Sequence, residues 1–384
     1  MSTLPSKNGR IHALDSLRAI MMLLGIVIHS ALTYGTIDYG VAWMLKDPFT
    51  THISNDFIVD FIHSFRMQIF FLVAGFFGAM LFYDRSPAQM IKNRLSRILY
   101  PFLAFLFLLW PTIKFAFTYT ALIFDNVPNA LSQAWAAFFS WTSLLPNNTF
   151  HLWFLYYLII VTMFTIGFAF LFIKLKNVAS VISRLFGWII VRPLVRLLFF
   201  SLVTALVYMT IGTWSVATSA SFIPNFLTII YYFSFYLVGW VLFKSKNLLD
   251  QIKKADWVST ILGSGLFSFH FIFNDSFTYY EHIIIKSIMV WLLIFGITGL
   301  FIRYASKHSP MMRYISDASY WVYLVHLTCT ALVPGLIVDW AIPSVLKFLV
   351  VLLLTGILCF TSYHYLVRDT FIGMFLNGRR YPKK

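Results

Sequence analysis

About ten apolar runs, each close to the ~20 residues that carry an α-helix across a bilayer, constrain this chain more than any other feature. They fall near 17–36, 57–83, 98–121, 150–173, 196–213, 223–243, 257–273, 282–302, 318–338 and 344–366. Sixty per cent of the residues are apolar and 11% are charged, more apolar surface than a soluble core can hide. The expected fold class is all-α: a polytopic transmembrane helical bundle, one integral membrane domain over 1–384.

Lys and Arg positions set the expected orientation. Lys7 and Arg10 precede the first run, and every second connection after it is basic: Arg85 to Arg97, Lys174 to Arg192, Lys244 to Lys254, Arg303 to Arg313, and the tail from Arg368 to Lys384. The alternate connections hold only Lys46 and Lys347 against Asp38, Asp47, Asp56, Asp125, Asp275, Glu281 and Asp339. Ten spans with both termini cytoplasmic fit this alternation. The net charge of +15 is therefore a topology signal rather than a nucleic-acid surface, since the loops are short.

No cleavable signal is evident: Asp15 and Arg18 flank the first run, and it leads straight into further spans. Cys329 and Cys359 both lie inside late spans, which argues against a disulfide framework or a thiolate metal site. Segment 84–97 reads as an interfacial helix, with Met90, Ile91, Leu95 and Ile98 alternating with Lys92, Arg94 and Arg97. Segments 122–149 and 174–195 read as ordinary connections.

Ionisable groups at membrane depth are costly and usually functional. Arg18 stands at the threshold of the first span and His29 follows eleven residues on. Eleven helical steps of ~100° return almost to the same face, and eleven rises of ~1.5 Å separate the two by roughly 16 Å. Span two carries Asp60, His63 and Arg66 at three-residue spacing, with Arg66 at a depth similar to His29. Its Ala74-Gly75 pair permits close approach of another helix. Span four opens with His151-Leu152-Trp153-Phe154, span eight with Tyr279-Tyr280-Glu281, and span nine places Tyr323 and His326 near mid-depth. Taken singly, Arg18 also fits a positive-inside anchor, Arg94 and Arg97 generic cytoplasmic charge, Trp153 an aromatic belt, and Asp60, His63 and Arg66 an inert ion-paired cluster. Three histidines and a buried arginine at depth are harder to dismiss together.

These residues resemble the acyltransferase-three family of integral membrane acyltransferases, whose signature is an Arg, ten residues, then a His in the first span; here Arg18 and His29. The segment Phe61-Ile62-His63-Ser64-Phe65-Arg66-Met67-Gln68-Ile69-Phe70-Phe71, with His151-Leu152-Trp153-Phe154-Leu155, Tyr280-Glu281 and Tyr323-Leu324-Val325-His326, is similar to a branch whose members succinylate osmoregulated periplasmic glucans. Leu327 stands where some of those enzymes carry a second histidine.

The resemblance implies transfer of an acyl group from cytoplasmic acyl-CoA, succinyl-CoA in preference to acetyl-CoA, to a hydroxyl of a periplasmic glycan acceptor. It also implies a multi-pass protein of a bacterial inner membrane, in contact with membrane lipid, with no metal and no nucleic acid. A homo-oligomer or glucan-synthesis partners remain open. In this reading Arg18, Arg94 and Arg97 hold the CoA phosphates, because guanidinium forks suit phosphate. His29 is the general base, and Arg66 pairs with the succinyl carboxylate or stabilises the oxyanion. His63, His151, Glu281, Tyr323 and His326 bind the acceptor. The competing class is a proton-coupled transporter or flippase that uses the same intramembrane groups as a relay. Broken half-helices or inverted repeats would favour it, and the sequence shows neither.

Overall fold

The computed structural model describes residues 11–140, 145–216 and 218–378. Lys7, Arg10 and the end of the basic tail from 379 onward lie outside the described residues, and with them the two termini. The described residues form helices and no strand, as hydrocarbon requires of a chain that must satisfy every backbone N–H and C=O within its own segment.

In chain order the helices are α1 (His12–Leu32), α2 (Ile53–His63), α3 (Arg66–Asp84), α4 (Pro87–Arg94), α5 (Tyr100–Phe124), α6 (Ala130–Phe138), α7 (Trp153–Lys174), α8 (Lys176–Ile190), α9 (Pro193–Ile211), α10 (Phe226–Lys244), α11 (Asp256–Ile272), α12 (Tyr279–Tyr304), α13 (Pro310–Leu336), α14 (Ser344–Ser362) and α15 (Phe371–Asn377). Eight helical stretches among the described residues are long and apolar enough to cross a membrane. Ten spans were expected; helices α11 and α13 cover the residues of the seventh and ninth but are not among the eight. The first has only 17 residues, and the second is diluted by Ser319, Tyr320, Trp321, Tyr323 and His326.

Three expectations change. The second span is not one helix: it stops at His63 and restarts at Arg66, so a broken helix is present where the sequence suggested none. The Ser64 hydroxyl donates to the Phe61 carbonyl at 2.6 Å, and Phe65 leaves helical geometry at φ −139°. A side chain that competes for the backbone in this way turns the chain without Pro or Gly. Second, the connections 122–149 and 174–195 contain helices, α6 and the amphipathic α8. Third, the interfacial segment does not stand alone, because α4 runs through a π-helical turn at Leu95–Leu99 into α5.

Helix α1 sits inside the bundle, packed on α2, α3, α12, α13 and α14. Helices α3 and α10 cross at the closest approach: Gly75 lies against the Tyr236 carbonyl and Gly239 against the Leu72 carbonyl, leaving no room for a Cβ on either. The close contact expected at Ala74-Gly75 is therefore made, and small residues on both helices allow it.

Candidate active site

Because α2 ends one turn early, Arg66 is the first residue of α3 and is carried into the bundle rather than along the face of Asp60 and His63. It is 8% exposed. Its Nε donates to the Met21 carbonyl of α1 at 2.8 Å, and it forms no ion pair among the described residues. Its Nη2 reaches the space beside Gly25, 2.7 Å from where a Cβ on that glycine would stand. The unsatisfied N–H groups and positive dipole end of the first turn of α3 add to the positive character of this wall.

Four other predicted residues meet it there. His29, His151, Tyr323 and His326 line one cavity with Arg66, Met67, Phe70, Trp153 and Phe154. The His326 ring centroid lies 5.2 Å from that of His29 and 5.2 Å from that of His151. His151, in the short turn before α7, faces the Leu324 carbonyl through Nε2 at 2.9 Å. Tyr323 Oη donates to the His151 carbonyl at 2.7 Å. A carbonyl can only accept, so Nε2 of His151 carries its hydrogen and Nδ1, buried without a partner, keeps a lone pair. His29 Nδ1 is also buried and unpartnered. Among the described residues no three His, Cys, Asp or Glu side chains are placed to hold a metal ion.

A residue that sequence reading passed over covers His29. Trp43, from the 33–52 connection, stacks on its ring at 5.4 Å and 29°, and Trp43 Nε1 donates to Thr33 Oγ1 at 3.0 Å. That connection is pinned by Lys347, whose Nζ donates to Asp47 Oδ2 at 2.9 Å and to the Val338 carbonyl at 2.8 Å. Asp56 accepts from the Thr36 amide and hydroxyl at 2.7 and 2.8 Å. Gly25 was passed over as well, although it stands one turn before His29 on the same helix face, and that spacing was the available signal. The pair formed by His270 Nε2 and His282 Nδ1, 2.9 Å apart, lies outside this cavity.

The remaining predicted residues fall elsewhere. Glu281 caps α12: its Oε2 accepts from the Thr278 amide at 2.7 Å and hydroxyl at 2.8 Å, and it does not line the histidine cavity. His63 closes α2 with an accessible ring and is also absent from that lining. At the basic end of the bundle, Arg18 lies over the Phe77 ring of α3 at 5.5 Å and pairs with Asp15 at 3.4 Å. Arg94 Nη2 donates to the Ala74 carbonyl at 3.1 Å, next to Gly78, while its Nε is buried without a partner. These two guanidinium groups therefore gather on the same half of α3. Arg97 is occupied differently, donating through Nη1 to the Met374 and Phe375 carbonyls of α15 at 2.9 and 2.6 Å.

The family model described as an acyltransferase domain matches residues 11–364. Relatives named glucans biosynthesis protein C from Salmonella paratyphi B, Salmonella enteritidis PT4 and Salmonella paratyphi A are each 27% identical over 334 residues, covering 85% of this chain and 83% of theirs. No solved structure matches significantly. With the family model spanning almost the whole helical bundle and the Arg18–His29 pair inside it, the chain belongs to the acyltransferase-three family of membrane acyltransferases.

Proposed function

We propose that this protein moves an acyl group, succinyl in preference to acetyl, from cytoplasmic acyl-CoA to a hydroxyl of a periplasmic glucan or related envelope glycan in a bacterial inner membrane. The observation that carries this reading is the meeting of Arg66, His29, His151 and His326 around one cavity in the middle of the bundle. A buried guanidinium with no counter-ion among the described residues is poised for developing negative charge, and uncharged imidazoles are poised for a hydroxyl proton. The names of the Salmonella relatives supply the glucan acceptor.

The basic end takes the CoA phosphates. Arg18 and Arg94 stand there on one half of α3, and the orphaned Nε of Arg94 is a buried donor waiting for an anion. Arg97 adds charge while tying α15 to that end. From this platform the pantetheine arm, comparable in length to the Arg18–His29 separation, reaches the cavity. His29 takes the proton of the acceptor hydroxyl as it attacks the thioester, a contribution of ~10²–10⁴ in rate. Arg66 holds the oxyanion through Nη2. His151 and Tyr323 shape the acceptor side, with His63 and Glu281 on the approach to it.

The break at Ser64–Phe65 favours the second reading, a proton-coupled transporter or flippase, because discontinuous helices line transport sites. Here the break brings Arg66 to the histidines of an acyltransferase-family cavity, and acyl transfer accounts for both. Mass spectrometry of cell-envelope glycans with and without the gene tests the proposal. Loss of a succinyl substituent supports it, and unchanged glycans refute it.

A further inference from the structure

Sequence reading placed His326 among acceptor-binding groups, but its surroundings set it apart. His326 is 1% exposed. Its Nδ1 lies 2.7 Å from the Tyr323 carbonyl and 3.1 Å from the Val322 carbonyl. Two carbonyls can only accept, so Nδ1 carries the ring hydrogen, and Nε2 is left with a lone pair. A histidine serving only as packing would satisfy its second nitrogen too. Nε2 instead is buried with no hydrogen-bond partner among the described residues, 3.4 Å from where a Cβ on Gly25 would stand. Arg66 Nη2 approaches the same point from 2.7 Å. Glycine thus lets both groups close on the α1 backbone, and both line the adjoining cavity, where a proton acceptor and a charged donor side by side are the arrangement a reacting carbonyl requires.

The order along α1 matters. From the basic end the helix presents Met21, whose carbonyl holds Arg66, then Gly25, then His29 one turn further on. A thioester arriving from the basic end reaches Gly25 and His326 before His29, and a hydroxyl arriving from the Trp43 side meets His29 first. A thiolate released in this low-dielectric cavity is strongly disfavoured without a proton or a counter-ion. Arg66 is already committed to the Met21 carbonyl and the oxyanion.

Building on the acyl-transfer reading, we propose that His326 is a second catalytic residue, whose Nε2 delivers to the departing sulfur the proton that His29 takes from the acceptor hydroxyl. The hydroxyl O–H bond breaks, and its proton passes to His29 as the C–O bond forms. It then moves to Nε2 of His326, the ring centroids being 5.2 Å apart, directly or through one water. As the C–S bond breaks, sulfur takes that proton, and both rings end neutral as they began.

The test compares two donors, succinyl-CoA and its selenoester analogue, whose selenol is a much stronger acid than the thiol and leaves without a proton. His326→Asn keeps an N–H for the Tyr323 and Val322 carbonyls and removes Nε2. With the thioester its rate falls about 100-fold, the range of general acid–base catalysis. With the selenoester it returns to within a few-fold of wild type, whereas His29→Asn stays impaired with both donors. Equal loss with both donors would make His326 a packing residue and overturn the assignment, as would wild-type rates with the thioester. If the Asn variant is not monodisperse, His326→Gln gives the same comparison. Wild-type protein that transfers from neither donor refutes the acyl-transfer reading itself, an outcome visible before any variant is made.

Discussion

Arg66 and His326 meet over a missing side chain: Nη2 of one and Nε2 of the other lie 2.7 and 3.4 Å from the point where a Cβ of Gly25 would stand. Helices α1, α3 and α13 meet at that point, and the break that ends α2 at His63 is what brings Arg66 to it.

Gly25→Ala pushes a methyl group against the Arg66 guanidinium. Alanine is the better helix former by about 1 kcal/mol, and the nearest obstacle is the end of a flexible side chain, so thermal stability in detergent stays the same or rises. The Arg66 guanidinium is displaced, and a shift of about 1 Å at a reacting centre costs about 100-fold in rate. Stability retained with turnover lost is the expected pair of results. Full turnover would show that the placement of Arg66 against Gly25 is not used.

Arg66→Ala separates its two candidate roles. With Nη2 on the oxyanion, kcat falls about 10²–10³-fold, and by the same factor for succinyl-CoA and acetyl-CoA. A loss confined to succinyl-CoA would assign the guanidinium to the donor carboxylate instead. Steady-state rates with both donors decide.

The Lys347–Asp47 pair is fully buried, with side-chain exposures of 1% and 0%. Removing one partner leaves an uncompensated charge, which costs about 3–5 kcal/mol. Lys347→Met should therefore lower the unfolding transition strongly, and adding Asp47→Asn should recover much of it. Equal destabilisation by the single and double variants would contradict the pairing. Because this pair holds the connection that carries Trp43, the single variant should also loosen the cover on His29, read as faster modification of His29 by a histidine reagent.

The arginines of the basic end should divide. Arg18→Ala and Arg94→Ala raise KM for acyl-CoA at least ten-fold with little change in kcat, since they bind the donor away from the reacting atoms. Arg97→Ala in addition frees α15, whose Met374 and Phe375 carbonyls lose the Arg97 donor, Met374 keeping only the Gly378 amide. Limited proteolysis then cleaves near 371–377 in that variant alone. Protection unchanged in Arg97→Ala would remove its tie to α15.

The fold class was legible because run length in an apolar chain leaves few alternatives: each expected span coincides with a helix or with a helix pair. Gly75 was legible as a contact residue for the same reason, a small side chain in an otherwise bulky stripe. The break at Ser64–Phe65 was not, since neither residue is a helix breaker by type and the turn depends on a hydroxyl choosing the Phe61 carbonyl. Glu281 shows a signal left unread: Thr278 three residues before it is a capping-box pattern, and the helix end is where the carboxylate goes. His29, Arg66, Tyr323 and His326 were legible as unusual at membrane depth, and His151 as the opening of its span. Their meeting point was not, because α1, α3, α7 and α13 come together only in three dimensions. Trp43 and the hydrogen-bonded state of His326 depend on long-range contacts and backbone carbonyls that no spacing rule reveals.

The most direct test of the central claim is the initial rate at which purified protein in lipid nanodiscs transfers labelled succinyl from succinyl-CoA to periplasmic glucan, compared with a monodisperse His29→Ala variant. The expected result is transfer by the wild type and a rate lower by about 10²-fold or more in the variant. Undiminished transfer by His29→Ala, or none by the wild type, would contradict it.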